Sequence, residues 1–150
     1  MPRRARGYWM IVLSPANYER TKALRFTQQG VKSKYLRYVE KMAPGDGLVW
    51  YVTGVGTFAA TAEVTSPYFE AKKRIWISDG TPDLYPWRVK TRKTHAVAPE
   101  TGVPAASLVP KLRFVRRWPK AHWRLAFQGN LHELPREDFA LIARAVAAKS

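Results

Sequence analysis

The residue pattern predicts an α+β domain: a small mixed β-barrel of short strands with flanking short helices. Three observations lead there. The apolar run from Tyr8 to Leu13 is too short for a helix and suits a buried strand. Several β-rich runs then follow at close spacing between tight turns, which favours a small barrel over a doubly wound parallel sheet. A segment with a helical apolar stripe ends the chain. The 150 residues suit one domain spanning 1–150, and 46% apolar content supplies a core.

Each element has a local cause. Ser14-Pro15 reads as N-cap and first helical residue, because the serine oxygen accepts a backbone N–H and proline loses nothing there. A short helix through about Leu24 follows. Lys34 to Met42 reads as a second, with Leu36, Val39 and Met42 on one face. Pro44-Gly45-Asp46-Gly47 is a turn. Leu48 to Thr53 is a strand, Gly54 to Gly56 a hairpin turn, and Thr57 to Ser66 a second strand. In that second strand Phe58, Ala60, Ala62 and Val64 alternate with Ala59, Thr61, Glu63 and Thr65, which predicts one buried and one wetter face. Arg74 to Ser78 and Tyr85 to His95 read as strands. Pro99 to Pro110 reads as a loop with a helical turn near Ser107, Leu112 to Val115 as a short strand, and Pro119 to Leu125 as a helical turn. Pro135 opens the last helix at its first position. Glu137 and Asp138 follow in its first turn, where the macrodipole favours anions.

Composition narrows the function. The 26 Lys and Arg against 11 Asp and Glu give a formal net charge of +15. Such self-repulsion opposes compaction, so an anionic partner is expected, with nucleic acid first. The absence of cysteine removes disulfides, thiolate metal sites and thiol nucleophiles, and fits a reducing compartment. No apolar run approaches the roughly 20 residues of a membrane helix. The first residues lack the apolar stretch of a signal peptide, so a soluble cytoplasmic protein without a membrane partner is expected. Met1 to Arg6, with Arg3, Arg4 and Arg6, reads as a flexible basic arm.

Catalysis has little support. No phosphate-binding loop, dinucleotide fingerprint, nucleophile elbow or zincin helix is present. His95, His122 and His132 are scattered, without metal-ligand spacing. Helix-start charge accounts for Glu137-Asp138. The expectation is a protein that is not an enzyme, with no cofactor and no metal.

Basic residues interleaved with aromatics carry the stronger signal. Lys111 to Arg124 holds six Lys or Arg, no acid, and Phe114, Trp118 and Trp123. Cations meet phosphates and aromatic faces accept unstacked bases. Trp9, Trp50 and Trp87 lie in strand-like runs and suit either a core or a pocket, with core the default. Ser14, Thr27, Gln28, Gln29 and Thr53 lie at strand ends or loops, where the fixed polar groups of a pocket usually sit.

With these landmarks the sequence resembles the EVE-domain family of the PUA-like superfamily, which also includes the YTH readers. The resemblance runs from about Gly7 to Ala148. It rests on Tyr8-Trp9-Met10-Ile11-Val12, Gln29-Gly30-Val31-Lys32-Ser33-Lys34, Pro44-Gly45-Asp46, Trp50-Tyr51-Val52-Thr53-Gly54 and Phe58 to Ser66. Tyr85-Pro86-Trp87-Arg88-Val89, Leu112 to Val115 and Trp123 to Phe139 complete the set. It implies a PUA-like barrel and a pocket that captures one flipped base of DNA or RNA, often a modified one such as a methylated cytosine.

Carried onto this chain, the loop Thr27 to Lys32, including Val31, forms one pocket wall, and Gly30 lets a base approach the backbone. Some relatives have an aromatic where Gln29 stands, so Phe26, Trp50, Tyr85 or Trp87 supplies the stacking face. Ser14 and Thr53 bond the base edge. Lys32, Lys34 and Arg37, together with Arg116, Arg117 and Lys120 of the basic aromatic segment, hold phosphates. The expectation includes an opening beside Gly30. The alternative is a sensor of a small planar ligand such as a free nucleoside. Exposed aromatics would suit a homodimer face.

Overall fold

The structure is a computed structural model that describes residues 5–150; the basic residues Arg3 and Arg4 lie outside it. One sheet dominates, in the order β2 (Gln28–Val31), β6 (Trp87–Ala96), β4 (Thr57–Val64), β3 (Gly47–Val52), β1 (Tyr8–Leu13), β8 (Leu131–Glu133). The short β5 (Phe69–Glu70) pairs with β6, and β7 (Val103–Pro104) with β4. All pairings are antiparallel except β1 with β3, which run parallel from Tyr8 opposite Gly47 to Leu13 opposite Val52. The helices are α1 (Pro15–Ala23), α2 (Leu36–Val39), α3 (Ala105–Leu108) and α4 (Arg136–Lys149), joined by several 3-10 turns.

The sheet curls until its two edges meet. Asn130, just before β8, accepts from the Lys32 backbone N–H just after β2 through Oδ1 at 3.0 Å, and its Nδ2 donates to Val12 O at 3.1 Å. The Tyr35 hydroxyl accepts from Asn130 N at 3.0 Å on the same seam. This seam closes one end of a partial barrel and positions the candidate site.

The strand period of two sorts side chains into two cores. Trp9, Ile11 and Leu13 of β1, with Leu48, Trp50 and Val52 of β3, face inward with Phe26, Val31 and Val89. Met10, Val12, Val49 and Tyr51 face the opposite way, against Phe127 and the Phe139, Ile142, Val146 stripe of α4. A strand between two cores is apolar on both faces, which explains the continuous run at Tyr8 to Leu13. It also corrects the expectation for β4. Only Glu63 is partly exposed there, because α4 covers the face expected to be wet.

Other local expectations meet mixed outcomes. Ser14 caps α1, its Oγ accepting from Asn17 N at 3.2 Å with Pro15 next. Asp46 accepts from Gly7 N, Ala43 N and the Trp9 indole, so the Pro44 to Gly47 turn is pinned to the start of β1. Lys34 to Met42 is shorter than expected, a 3-10 turn followed by the single-turn α2. Arg74 to Ser78 makes no strand ladder. Trp76 instead is buried beside α1, its indole donating to the Thr21 hydroxyl at 2.8 Å. Leu112 to Val115 is not a strand either, since the amides of Arg113 and Phe114 donate to buried Asp138 at 2.9 and 2.8 Å and start a 3-10 turn. Pro135 is the N-cap of α4, one residue before its expected place. Arg6 is pinned to the body, its Nε donating to Gly45 O and its guanidinium 5.4 Å from the Tyr8 ring centroid. Among the described residues no helix is long and apolar enough to cross a membrane.

Candidate functional site

The carboxyl ends of the parallel pair β1 and β3 open onto a cavity of about 200 Å³ beside the seam. Ligands in sheets with parallel strands settle outside such ends, because the chain leaves the sheet there in diverging directions. Ser14 and Thr53 stand at the two strand ends, with Thr53 N bonded to Leu13 O at 2.9 Å. Lys32 and Asn130 form the seam side. Tyr85, Ile77 and Asp79 come from the loop between β5 and β6.

The polar walls are fixed before any ligand arrives. The Asn17 side chain clamps the loop to α1, donating to Ile77 O at 2.8 Å and accepting from Ile77 N at 2.9 Å. Its Nδ2 also reaches the Tyr85 hydroxyl at 3.4 Å. Asp83 accepts from the backbone N–H groups of Ser33 and Tyr85. Tyr85 holds φ at +51°, an uncommon conformation for a bulky residue and one that costs free energy. Burial pushes the Tyr85 phenol above its ordinary pKa, and Asp83 and Asp79 push it further, so it remains a neutral hydroxyl at physiological pH. The Lys32 ammonium lies 5.9 Å from the Tyr85 ring centroid at the mouth.

The loop carrying these walls hangs on Arg88. The residue is 2% exposed, and its guanidinium donates to the carbonyls of Tyr85 at 3.1 Å and Leu84 at 3.2 Å, and also to Lys73 O. It also lies over the Trp76 ring at 5.2 Å. Burial alone lowers the pKa of Arg88, and the three carbonyls replace the water it gives up.

The residues expected at the site divide cleanly. Ser14, Thr53, Tyr85 and Lys32 converge on this cavity. Phe26, Gln29, Gly30, Val31 and Trp50 do not, because they are core. The Gln29 Oε1 accepts from the Thr21 hydroxyl at 2.7 Å and the Trp50 indole at 2.8 Å, while its Nε2 donates to Gly30 O. Phe26 packs edge-on against Trp50 at 5.3 Å. The expected opening beside Gly30 is absent. A Cβ there would meet Tyr85 O at 2.6 Å and Trp76 at 2.7 Å, so the glycine serves close packing of the chain on itself. Thr27 is exposed with its hydroxyl on Leu24 O, and Gln28 sits opposite Lys90 in the ladder; neither lines the cavity. Trp87 donates its indole N–H to Ser33 O and lines a larger hollow of about 720 Å³ with Lys72 and Arg74, which shares Ile77 with the small cavity.

The basic residues also separate. Lys34 and Arg37 are exposed around the start of α2, and Arg116, Arg117 and Lys120 are exposed in the turns between α3 and β8. Only Lys32 reaches the small cavity. Sequence reading missed Asn17, Ile77, Asp79, Arg88 and Asn130. Asn17, Ile77 and Asn130 owe their places to pairings across more than 45 positions, Asp79 to a loop without periodicity, and Arg88 to the carbonyls of that loop. The turn-rich run Asp79-Gly80-Thr81-Pro82-Asp83 was the only available signal. Among the described residues no group of three His, Asp or Glu forms a metal-binding cluster.

The model of the EVE domain matches residues 7–145. The chain belongs to the EVE-domain family. A relative of this EVE domain, the UPF0310 protein PH1033 of Pyrococcus horikoshii, is 28% identical over 151 residues, spanning 91% of this chain and 97% of that protein. Among solved structures, the Mmi1 YTH domain in complex with RNA superimposes with a TM-score of 0.64 at 10% identity, covering 95% of this chain and 78% of that one. The YTH domain of Zygosaccharomyces rouxii MRB1, solved in complex with N6-methyladenosine RNA, gives 0.62 at 19% identity, covering 96% and 91%. These likenesses establish the shared α+β fold, a mixed sheet curled into a half-barrel with short helices.

Proposed function

We propose that this EVE domain is a non-catalytic nucleic-acid reader that captures one extruded base in the cavity between Ser14, Thr53, Lys32 and Tyr85. The observation that carries the reading is the cavity itself: sized for one flat heterocycle, walled by pre-fixed polar groups, and open beside a cation. The Ser14 hydroxyl already accepts from Asn17 N, so its own proton is available to donate inward. The Thr53 hydroxyl stands at the opposite strand end. Two such groups read a base edge, Tyr85 forms a wall, and Lys32 meets the adjoining phosphate. The +15 charge and the nucleic-acid complexes of the YTH neighbours support the same class of partner.

Extruding a base costs a few kcal/mol, offset by the pocket contacts and the phosphate contacts. Val12, Leu13 and Ile77 add an apolar side to the cavity. A methyl group placed there gains about 0.8 kcal/mol, roughly fourfold in affinity. Sharper discrimination requires that the plain base leave a polar group unpaired.

The test is fluorescence anisotropy at fixed salt with DNA and RNA oligonucleotides carrying cytosine, 5-methylcytosine, adenine or N6-methyladenine at one position. One modified probe is expected to bind at least fourfold tighter than its plain counterpart. Equal affinities across the panel overturn the modified-base reading. A free nucleoside binding as tightly as the oligonucleotide replaces it with a small-ligand sensor.

A further inference from the structure

A third hollow, of about 620 Å³, lies on the other side of the seam, between the α2 turn, the 3-10 turns around Phe114 to Phe127, and edge strand β8. Its rim holds Tyr38 and Trp118, which are 45% and 38% exposed, and Leu125 at 36%. Exposed aromatic surface of this kind is costly to leave in water unless something covers it. Its charge identifies the class of cover. Arg117 lines the groove, and Arg116 and Lys120 flank it in the same turns. The Lys34 ammonium lies 5.3 Å from the Tyr35 ring and the Lys41 ammonium 5.9 Å from the Tyr38 ring. Glu133 is the one acid among the lining residues. A positively charged trough with available ring faces matches a polyanion that carries flat apolar groups, which is a single nucleic-acid strand.

The groove also abuts the base cavity. Gly129 and Asn130 belong to the cavity, while Gln128 and His132 on either side of them line the groove. Tyr35 spans the two, lining the groove while its hydroxyl accepts from Asn130 N. From these observations we infer that the groove stacks nucleotides flanking the captured base, with Tyr38 and Trp118 as the stacking faces and Arg117 as the phosphate contact. The inference rests on the base-capture reading, since it places both sites on one continuous strand. It adds a track that favours single-stranded flanks and makes affinity depend on strand length.

The test compares wild type with Tyr38→Ala, Trp118→Ala and the double variant. Probes are the mononucleotide carrying the preferred base of the panel, and the same base centred in a 7-nucleotide single strand of otherwise uniform thymine or uracil. Both side chains project to solvent, and thermal melting confirms that the variants fold. The 7-mer is expected to bind wild type at least tenfold tighter than the mononucleotide. Each substitution is expected to weaken the 7-mer by roughly fivefold or more, in the range of one lost base stack, with mononucleotide affinity unchanged. Unchanged 7-mer affinity in the double variant overturns the track and leaves base capture standing. Equal loss for both probes also overturns it, because the substitutions would then act on the pocket. Failure of every probe to bind wild type overturns both readings together.

Discussion

Gln29 and Thr53 show how position decides between two polar residues of similar promise. Gln29 accepts from both Thr21 and Trp50 in the inner core, so its removal orphans two buried donors. Gln29→Leu is expected to cost about 2–6 kcal/mol, at about 1–3 kcal/mol per unpaired group. Urea denaturation measures this. Thr53 is expected to behave in the opposite way. Thr53→Val removes one hydroxyl from a cavity wall, so the urea midpoint is expected to hold while oligonucleotide affinity drops about 2–10-fold. His132 adds a pH dependence. Its burial lowers its pKa below the ordinary 6.5, against a raising contribution from the backbone near Gly129. The unfolded chain therefore binds a proton first on acidification, and stability is lost as pH falls from about 6.5 toward the lower folded value. Above that window the group contributes no slope. A urea series between pH 7.5 and 5 is expected to show this decline, and His132→Gln is expected to flatten it.

Among the elements, the loop between β5 and β6 is the one on which the site depends and the one least supported by ladder bonds. Arg88 joins it to the sheet through three carbonyls. Arg88→Met keeps the apolar stem and removes the donors. Amide exchange is expected to accelerate across residues 72–86 while the β1 and β3 amides remain protected. Uniform acceleration over the whole sheet would show that Arg88 supports global stability instead. The same loop marks where sequence reading stops. β1, α1, β3, β4 and α4 were legible because each has a local signature: a short apolar run, a Ser-Pro cap, a turn, or a helical stripe. Four-residue β2 and three-residue β8 were not. Gln28-Gln29-Gly30-Val31 is polar and owes its strand state to β6, and Leu131 to Glu133 owes its own to β1. Of the site, Ser14 and Thr53 were legible as ends of two strands. Gly30 was misread because its need for a small residue comes from Tyr85 and Trp76, more than 40 positions away.

At the scale of the whole molecule, the charge of +15 and the curled sheet act together. Closing the barrel at Lys32 and Asn130 places one cation at the cavity mouth, while Lys34, Arg37, Arg116, Arg117 and Lys120 stand exposed in the turns around α2 and between α3 and β8. A polyanion bound there releases counterions, so affinity falls steeply with salt. Lys32→Ala is expected to weaken all sequences alike and to reduce the slope of log affinity against log salt by about 1. An unchanged slope removes Lys32 from the phosphate path. The position of the bound base decides between the small cavity and the larger hollow. The most direct measurement is a backbone amide NMR titration with the preferred modified mononucleotide. Shifts concentrated at Ser14, Lys32, Thr53, Tyr85 and Asn130 are the predicted result. Shifts confined to the larger hollow around Lys72, Arg74 and Trp87, with the strand ends of β1 and β3 unmoved, would contradict it.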